Sequence, residues 1–170
     1  DGETVGEHVY LNIISQAKKY LYIFTPYLIP DNETLTALCM AAKRGVDVRI
    51  VTPGIPDKKI VYILTQANYE ILLESGVQIY QYTPGFIHAK TVVVDDKVAT
   101  VGTINFDYRS LYLHFECGVW MFNCSSIYEI KEDYMDTLAK CDEVTKEKIR
   151  ETSRLKLFGQ SLLRLVAPLM

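Results

Sequence analysis

Tyr20-Leu-Tyr-Ile-Phe-Thr25 is a short apolar run stopped by Pro26, and it reads as a buried strand. Upstream, Val9, Tyr10, Ile13, Ile14 and Ala17 recur at helical spacing between Gly6 and Lys19. Downstream, Asp31 or Asn32 can cap a helix that runs through about Lys43 and is ended by Gly45. Val46 to Thr52 is a second strand, broken by the loop Pro53-Gly54-Ile55-Pro56-Asp57. A helix from about Lys59 to Glu74 then ends at Gly76, and Val77 to Tyr82 is a third strand. Strands alternating with helices imply parallel pairing, with the helices packed on the sheet.

The pattern changes after Pro84-Gly85. Ile87 to Val94 is rich in β-branched residues and alternates, so it is expected to be a strand. Asp95-Asp96-Lys97 should form a tight hairpin to a strand over Val98 to Thr103. A further strand is expected over about Leu113 to Asn123, then a helix capped by Ser125 or Ser126 and reaching about Cys141. A last helical region is expected from Val144 towards the end. The prediction is one α/β domain over residues 1–170, a mixed β-sheet flanked by helices on both faces.

A 170-residue chain that is 49% hydrophobic can bury one core. Its formal net charge of -3 argues against a dedicated nucleic-acid binder, which normally carries a basic domain. No run of about 18 apolar residues is present to span a bilayer. Asp1-Gly2-Glu3 has no basic region, apolar core or start methionine, so it is expected to be the cut end of a longer protein rather than a leader. Cys39, Cys117, Cys124 and Cys141 lack metal-binding spacing and are expected to be buried or partly buried free thiols, suited to a reducing compartment.

The chemistry is concentrated in His88-Ala-Lys90-Thr-Val-Val-Val-Asp95, the pattern His-x-Lys-x4-Asp. On a strand, His88 and Lys90 project to one face. An imidazole beside a fixed positive charge suits chemistry on a phosphate ester. Beyond it, Gly102-Thr-Ile-Asn-Phe-Asp-Tyr-Arg-Ser110 offers a close backbone approach at Gly102 and neutral donors at Thr103 and Asn105. Arg109 is expected to pair with an acid such as Asp107. Glu116, placed on the next strand, could fix an imidazole tautomer and stabilise its charged form. His114 is expected to have a surface or packing role. Tyr27 is a candidate for the substrate mouth, because ligands gather at the carboxyl ends of α/β strands. Lys58 and Lys59 are either head-group contacts or a solvated pair.

Taken together, His88, Lys90, Asp95, Gly102, Thr103, Asn105 and Glu116 resemble the HKD site of the phospholipase D superfamily. Thr25-Pro-Tyr-Leu-Ile-Pro-Asp31, Arg44-Gly-Val-Asp-Val-Arg-Ile50, Pro53-Gly-Ile-Pro-Asp-Lys-Lys59, Phe86-Ile-His-Ala-Lys-Thr91 and Arg164-Leu-Val-Ala-Pro-Leu169 resemble bacterial cardiolipin synthases in particular. The resemblance implies a phospholipase D-like fold and a covalent phosphohistidine intermediate, with a second histidine protonating the leaving alcohol. His88 matches one of the two histidines, with general acid favoured and nucleophile the live alternative. Lys90 and Asn105 match groups that hold phosphate oxygens, and Thr103 stands where many relatives have serine. Glu116 matches the carboxylate that orients the histidine. Asp95 matches the third motif residue, whose role in the family is more local support than phosphate contact.

Cardiolipin synthases carry two HKD motifs and N-terminal membrane segments. This chain, with His8, His88 and His114 its only histidines, has one motif. It is therefore expected to be the C-terminal half of such an enzyme, which would transfer a phosphatidyl group between two phosphatidylglycerol molecules and release glycerol. The implied partners are phosphatidylglycerol, the N-terminal HKD half or a second copy of this domain, and a membrane surface. The implied location is the cell membrane, with this soluble domain on the cytoplasmic side. No metal, cofactor or nucleic acid is expected. The alternatives are a homodimeric phosphodiester hydrolase, of phospholipase D or nuclease type, and a catalytically dead scaffold domain. The tail, Lys146 to Met170, mixes basic and apolar residues and is expected to be an amphipathic helix. It would rest on an anionic membrane surface or pack against the missing half.

Overall fold

The computed structural model describes residues 3–150. Its centre is a seven-stranded sheet in the order β8-β6-β5-β1-β3-β4-β9. The first helix, α1 (Val5–Gln16), leads into β1 (Tyr20–Phe24) and a two-residue strand β2 (Leu28–Ile29). Next come α2 (Asn32–Lys43), β3 (Asp47–Pro53), α3 (Lys59–Ala67), α4 (Tyr69–Glu74) and β4 (Gln78–Tyr82). The second half contains β5 (Thr91–Val94), β6 (Val98–Gly102), β7 (Phe106–Asp107), β8 (Gly118–Phe122), α5 (Ser126–Leu138), β9 (Cys141–Val144) and α6 (Lys146–Arg150). The strands β1, β3 and β4 run parallel, and β5, β6, β8 and β9 join antiparallel. This is the expected mixed α/β sheet.

Alternation along β1 builds two core layers at once. Leu21 and Ile23 face α1, α2 and α4, joining Ile14, Leu38 and Leu72 with Val48, Ile50, Ile79, Val92 and Val94. Tyr20, Tyr22 and Phe24 face the other way, where α5 contributes Ile127 and Tyr134. Tyr22 stacks on Tyr134 at 4.9 Å between ring centres, and the Tyr134 hydroxyl donates to Arg49 O at 3.0 Å. Burial on both faces explains why β1 reads as an uninterrupted apolar run. At the start of α2 the Asp31 carboxylate accepts from Thr34 N at 3.1 Å, so of the two expected candidates Asp31, and not Asn32, is the cap.

Four elements differ from the sequence-based expectation. The strand expected from Ile87 begins only at Thr91. Its partner β1 pairs up to Phe24↔Thr91, after which Pro26 turns the chain away, so Phe86 to Lys90 have no ladder on that side. The strand expected from Leu113 begins at Gly118, because β6 ends at Gly102↔Gly118; Arg109–Leu113 instead form a π-helical turn. The helix expected over Lys59 to Glu74 breaks at Asn68, whose side-chain amide donates to Leu64 O at 3.2 Å and Leu28 O at 3.0 Å. Cys141–Val144, expected within helix or helix start, is the edge strand β9, paired with the free side of β4. The tail helix expected beyond Arg150 lies outside the described residues. Among the described residues no helix is long and apolar enough to cross a membrane.

All four cysteines are free thiols. Cys39 is buried and Cys124 and Cys141 partly so, whereas Cys117 is exposed, because the stretch carrying it precedes β8 instead of lying within it.

Candidate active site

The carboxyl ends of β1, β3 and β6 and the entry to β5 meet at one edge of the sheet. Loops leaving that edge converge, as at the ligand sites of other α/β sheets. The small parallel pair β2–β7 ties the segment after β1 to the segment after β6. Phe106 N reinforces it by donating to Thr25 Oγ1 at 3.3 Å.

His88 sits on the extended approach to β5, exposed, with its ring 5.3 Å from that of Phe86 and 6.1 Å from that of Tyr27. Its imidazole makes no hydrogen bond among the described residues. Partial desolvation and the nearby Lys90 and Lys58 charges lower its basicity, against a smaller opposing pull from Asp57. Lys90 is half-buried, and its ammonium donates to His88 O at 2.7 Å. Desolvation lowers the Lys90 pKa, while the carboxylates of Glu116, Asp107 and Asp57 oppose the shift. Removing the Lys90 charge should therefore raise the His88 midpoint. An NMR titration of the His88 ring in Lys90→Ala is expected to move upward, and a downward move would contradict the arrangement.

Gly102, at the end of β6, lets the next segment approach closely. A Cβ there would lie 2.3 Å from Cys117 O and 2.6 Å from Gly118 Cα. Thr103 N donates to Cys117 O at 2.8 Å, and Cys117 N donates to Thr103 Oγ1 at 2.9 Å. The Thr103 hydroxyl donates in turn to the Glu116 carboxylate. Glu116 therefore lies on an irregular stretch and is held by Thr103, with no hydrogen bond to His88. Asn105 donates through Nδ2 to Ser110 Oγ at 3.0 Å, leaving its buried Oδ1 without a partner.

Asp95 lies at the other end of β5. At about 3.3 Å per residue, roughly 16 Å of strand separates it from Lys90. Its carboxylate accepts from Lys18 N and Lys19 N at 2.8 Å and from Tyr20 N at 2.9 Å. Both Asp95 and Asp96 have positive φ, 54° and 58°, which makes the hairpin a type I′ turn. Asp95 is thus a tie between the hairpin and the start of β1. His114 is exposed at the end of the π-helical turn.

Two acids at the site escaped the reading of the sequence as site residues. Asp107 is buried, its pKa raised by desolvation, and its charge reaches Lys90. Asp57, on the loop after β3, accepts from the Tyr27 hydroxyl at 2.5 Å. Tyr27 and Lys58, both named from sequence, do lie beside His88, with Lys58 Nζ 5.8 Å from the Tyr27 ring centre. A local sequence signal for Asp57 exists in the Pro-Gly-Ile-Pro-Asp-Lys turn, but none indicated which loop would face it.

A groove of about 550 Å³ runs from Glu116 past Gly102 and the start of α1 to Trp120 on β8. His88 and Lys90 are not part of its walls. Away from His88, the fold assembles the carboxylates of Glu7, Asp31 and Glu33 within 4.8 Å of one another. Sequence spacing could not show this grouping. Tyr112 Oη contacts Glu7 at 2.8 Å and Asp31 at 2.6 Å, tying α1 to the cap of α2.

Residues 10–138 match the family model described as cardiolipin synthase, PLD-like domain. An uncharacterized protein of Streptococcus mutans is 50% identical over 171 residues, covering 100% of this chain and 37% of that protein. A cardiolipin synthase of Clostridium perfringens is 44% identical over 161 residues, covering 95% of this chain and 34% of that enzyme. The chain spans about a third of the length of the curated relatives it matches. Among solved structures, the phospholipase D family member Nuc from Salmonella typhimurium superposes with a TM-score of 0.72 at 22% identity, over 82% of this chain and 91% of that one. A phosphatidylserine synthase from Haemophilus influenzae superposes with a TM-score of 0.74 at 17% identity, over 100% of this chain and 46% of that one. These two likenesses agree on the fold.

Proposed function

This chain belongs to the cardiolipin synthase family of phospholipase D-like domains, and we propose that it is the C-terminal catalytic half of a two-histidine phosphatidyltransferase. The complete enzyme takes two phosphatidylglycerol molecules to cardiolipin and glycerol at a membrane surface. In the first step an imidazole nitrogen attacks phosphorus, the bond to the glycerol oxygen breaks, and the second imidazole gives that oxygen its proton. In the second step a hydroxyl of another phosphatidylglycerol attacks phosphorus, the histidine–phosphorus bond breaks to free the first imidazole, and the hydroxyl proton passes to the second imidazole. Lys90 neutralises phosphate charge, Asn105 and Thr103 border the oxygens, and Glu116 supports the site through Thr103. His88 fills one of the two imidazole places, general acid or nucleophile, and the second half supplies the other.

The observations that carry the half-site reading are one His88–Lys90 pair in the sequence and an apolar sheet edge that no described element covers. The strand β8 ends the sheet, and Leu113, Phe115, Val119, Trp120 and Phe122 beside or on it are all more than half exposed. An edge strand flanked by exposed apolar side chains is suited to a protein partner, and the second HKD half is the occupant this reading assigns to it. The test is full-length enzyme in phosphatidylglycerol vesicles, which should yield cardiolipin and glycerol in equal amounts. Phosphatidic acid as the sole lipid product would favour hydrolysis instead.

A homodimeric hydrolase is supported by one observation: Nuc is matched over 91% of its chain, so it is about one such domain long. Sedimentation of the 170-residue chain separates the two cases. The half-enzyme reading expects an inactive chain that associates weakly through β8 and becomes monomeric in Phe115→Ser/Trp120→Ser. A stable dimer with phosphodiesterase activity would favour the homodimer.

A further inference from the structure

On the side of the loop after β3, His88 is bordered by four side chains outside the HKD motif. The rings of Phe86 and Tyr27 stand 5.3 and 6.1 Å from the imidazole, the latter edge-on. Tyr27 donates its hydroxyl to Asp57 Oδ2, and Lys58 N donates to Asp57 Oδ1 at 2.7 Å. The Lys58 ammonium lies 5.8 Å from the Tyr27 ring centre. The loop is seated firmly: Gly54 N donates to Tyr82 O at 2.8 Å, and a Cβ on Gly54 would come within 2.9 Å of Tyr82 O and Thr83 Cγ2.

The chemistry of this group is selective. Asp57 is held ionised; partial desolvation opposes its charge, but the hydrogen bonds from Tyr27 and the backbone outweigh that and keep it below the usual carboxylate range. An ionised carboxylate accepts hydroxyl protons and donates none. Lys58 donates, and its charge repels a cationic head group that Asp57 alone would attract. The pair is neutral overall, and two aromatic faces stand ready for C–H contacts. A monohydric alcohol would use none of these donors and acceptors beyond its reacting oxygen.

We propose that Tyr27, Asp57, Lys58 and Phe86 form a polyol subsite that holds a neutral, hydroxyl-rich alcohol of the glycerol type against His88. This rests on the phosphatidyl transfer proposed above and adds what selects its alcohol. The alcohol oxygen attacks phosphorus as the histidine–phosphorus bond breaks, and the hydroxyl proton leaves to the second imidazole. The vicinal hydroxyls meanwhile donate to Asp57.

The experiment offers isotopically labelled glycerol and ethanol together to full-length enzyme in phosphatidylglycerol vesicles. It reads the ratio of labelled phosphatidylglycerol to phosphatidylethanol. Asp57→Ala should lower that ratio about tenfold, because a hydroxyl bonded to a charged acceptor loses its partner. Tyr27→Phe should lower it less, keeping the ring and the carboxylate but losing the hydroxyl that orients Asp57. Asp57 is on an exposed loop, so the fold is not at stake. A ratio unchanged in Asp57→Ala, or both products falling in proportion, would overturn the subsite while normal cardiolipin formation left the proposed function standing. If unmutated enzyme transfers phosphatidyl groups to neither alcohol and makes no cardiolipin, both proposals fall.

Discussion

His88→Ala in the full-length enzyme is expected to lower cardiolipin formation by about four orders of magnitude or more, the usual scale for losing a nucleophile or its acid–base partner. The fold should barely notice. His88 is exposed, its ring makes no hydrogen bond among the described residues, and it lies before β5, outside the ladder. Exposed substitutions away from such features typically change stability by about 0.5 kcal/mol or less. The pair of measurements is product formation in vesicles and the thermal midpoint. Retained synthesis would remove His88 from the mechanism. Loss of activity together with a large fall in midpoint would make it a structural residue.

Asp95→Ala should behave in the opposite way. Its carboxylate accepts three backbone N–H groups, from Lys18, Lys19 and Tyr20, all of which lose their acceptor together. Hydrogen bonds to a charged group contribute on the order of 1.5–3 kcal/mol each, less where water can substitute. Alanine at a φ of 54° adds about 1 kcal/mol of backbone strain. A total loss of about 3–4 kcal/mol is expected, or roughly a 10 °C fall in melting midpoint for a chain of this size. Asp95→Asn keeps the left-handed turn and part of the acceptor set, and should fall between. Activity per folded molecule should be largely retained. A variant that melts normally but does not turn over would return Asp95 to the phosphate.

The place of the third motif residue, Asp95, was not legible in the sequence. His88, Lys90 and Asp95 form one motif by spacing, and spacing cannot say that a strand carries the third residue away from the other two. The N-terminal half was more legible. The Asp31 cap, the α2 period and the apolar run of β1 are each encoded within a few residues, and each appears as read. The same locality explains the misplaced elements. Phe86 to Lys90 and Leu113 to Cys117 have strand-like composition, but a strand exists only where a neighbour pairs with it. Pro26 removes one neighbour, and β6 ends before it could supply the other. Cys141–Val144 shows the reverse, a charged tetrad with little strand signal that β4 recruits to its open edge.

The sequence by itself determined the α/β class, the order of most elements and the family resemblance carried by the His88, Lys90, Asn105 and Glu116 pattern. Those depend on periodicity, caps and residue type, which are local. Tertiary structure alone decided that Asp95 ties the hairpin to β1 and that Thr103 holds Glu116. It also brought Asp57, Lys58 and Tyr27 around His88, from loops thirty or more residues away in the chain. Electrostatic and hydrogen-bond partners are set by distance in space, and only the pairing of β1, β3 and β5 made those distances short.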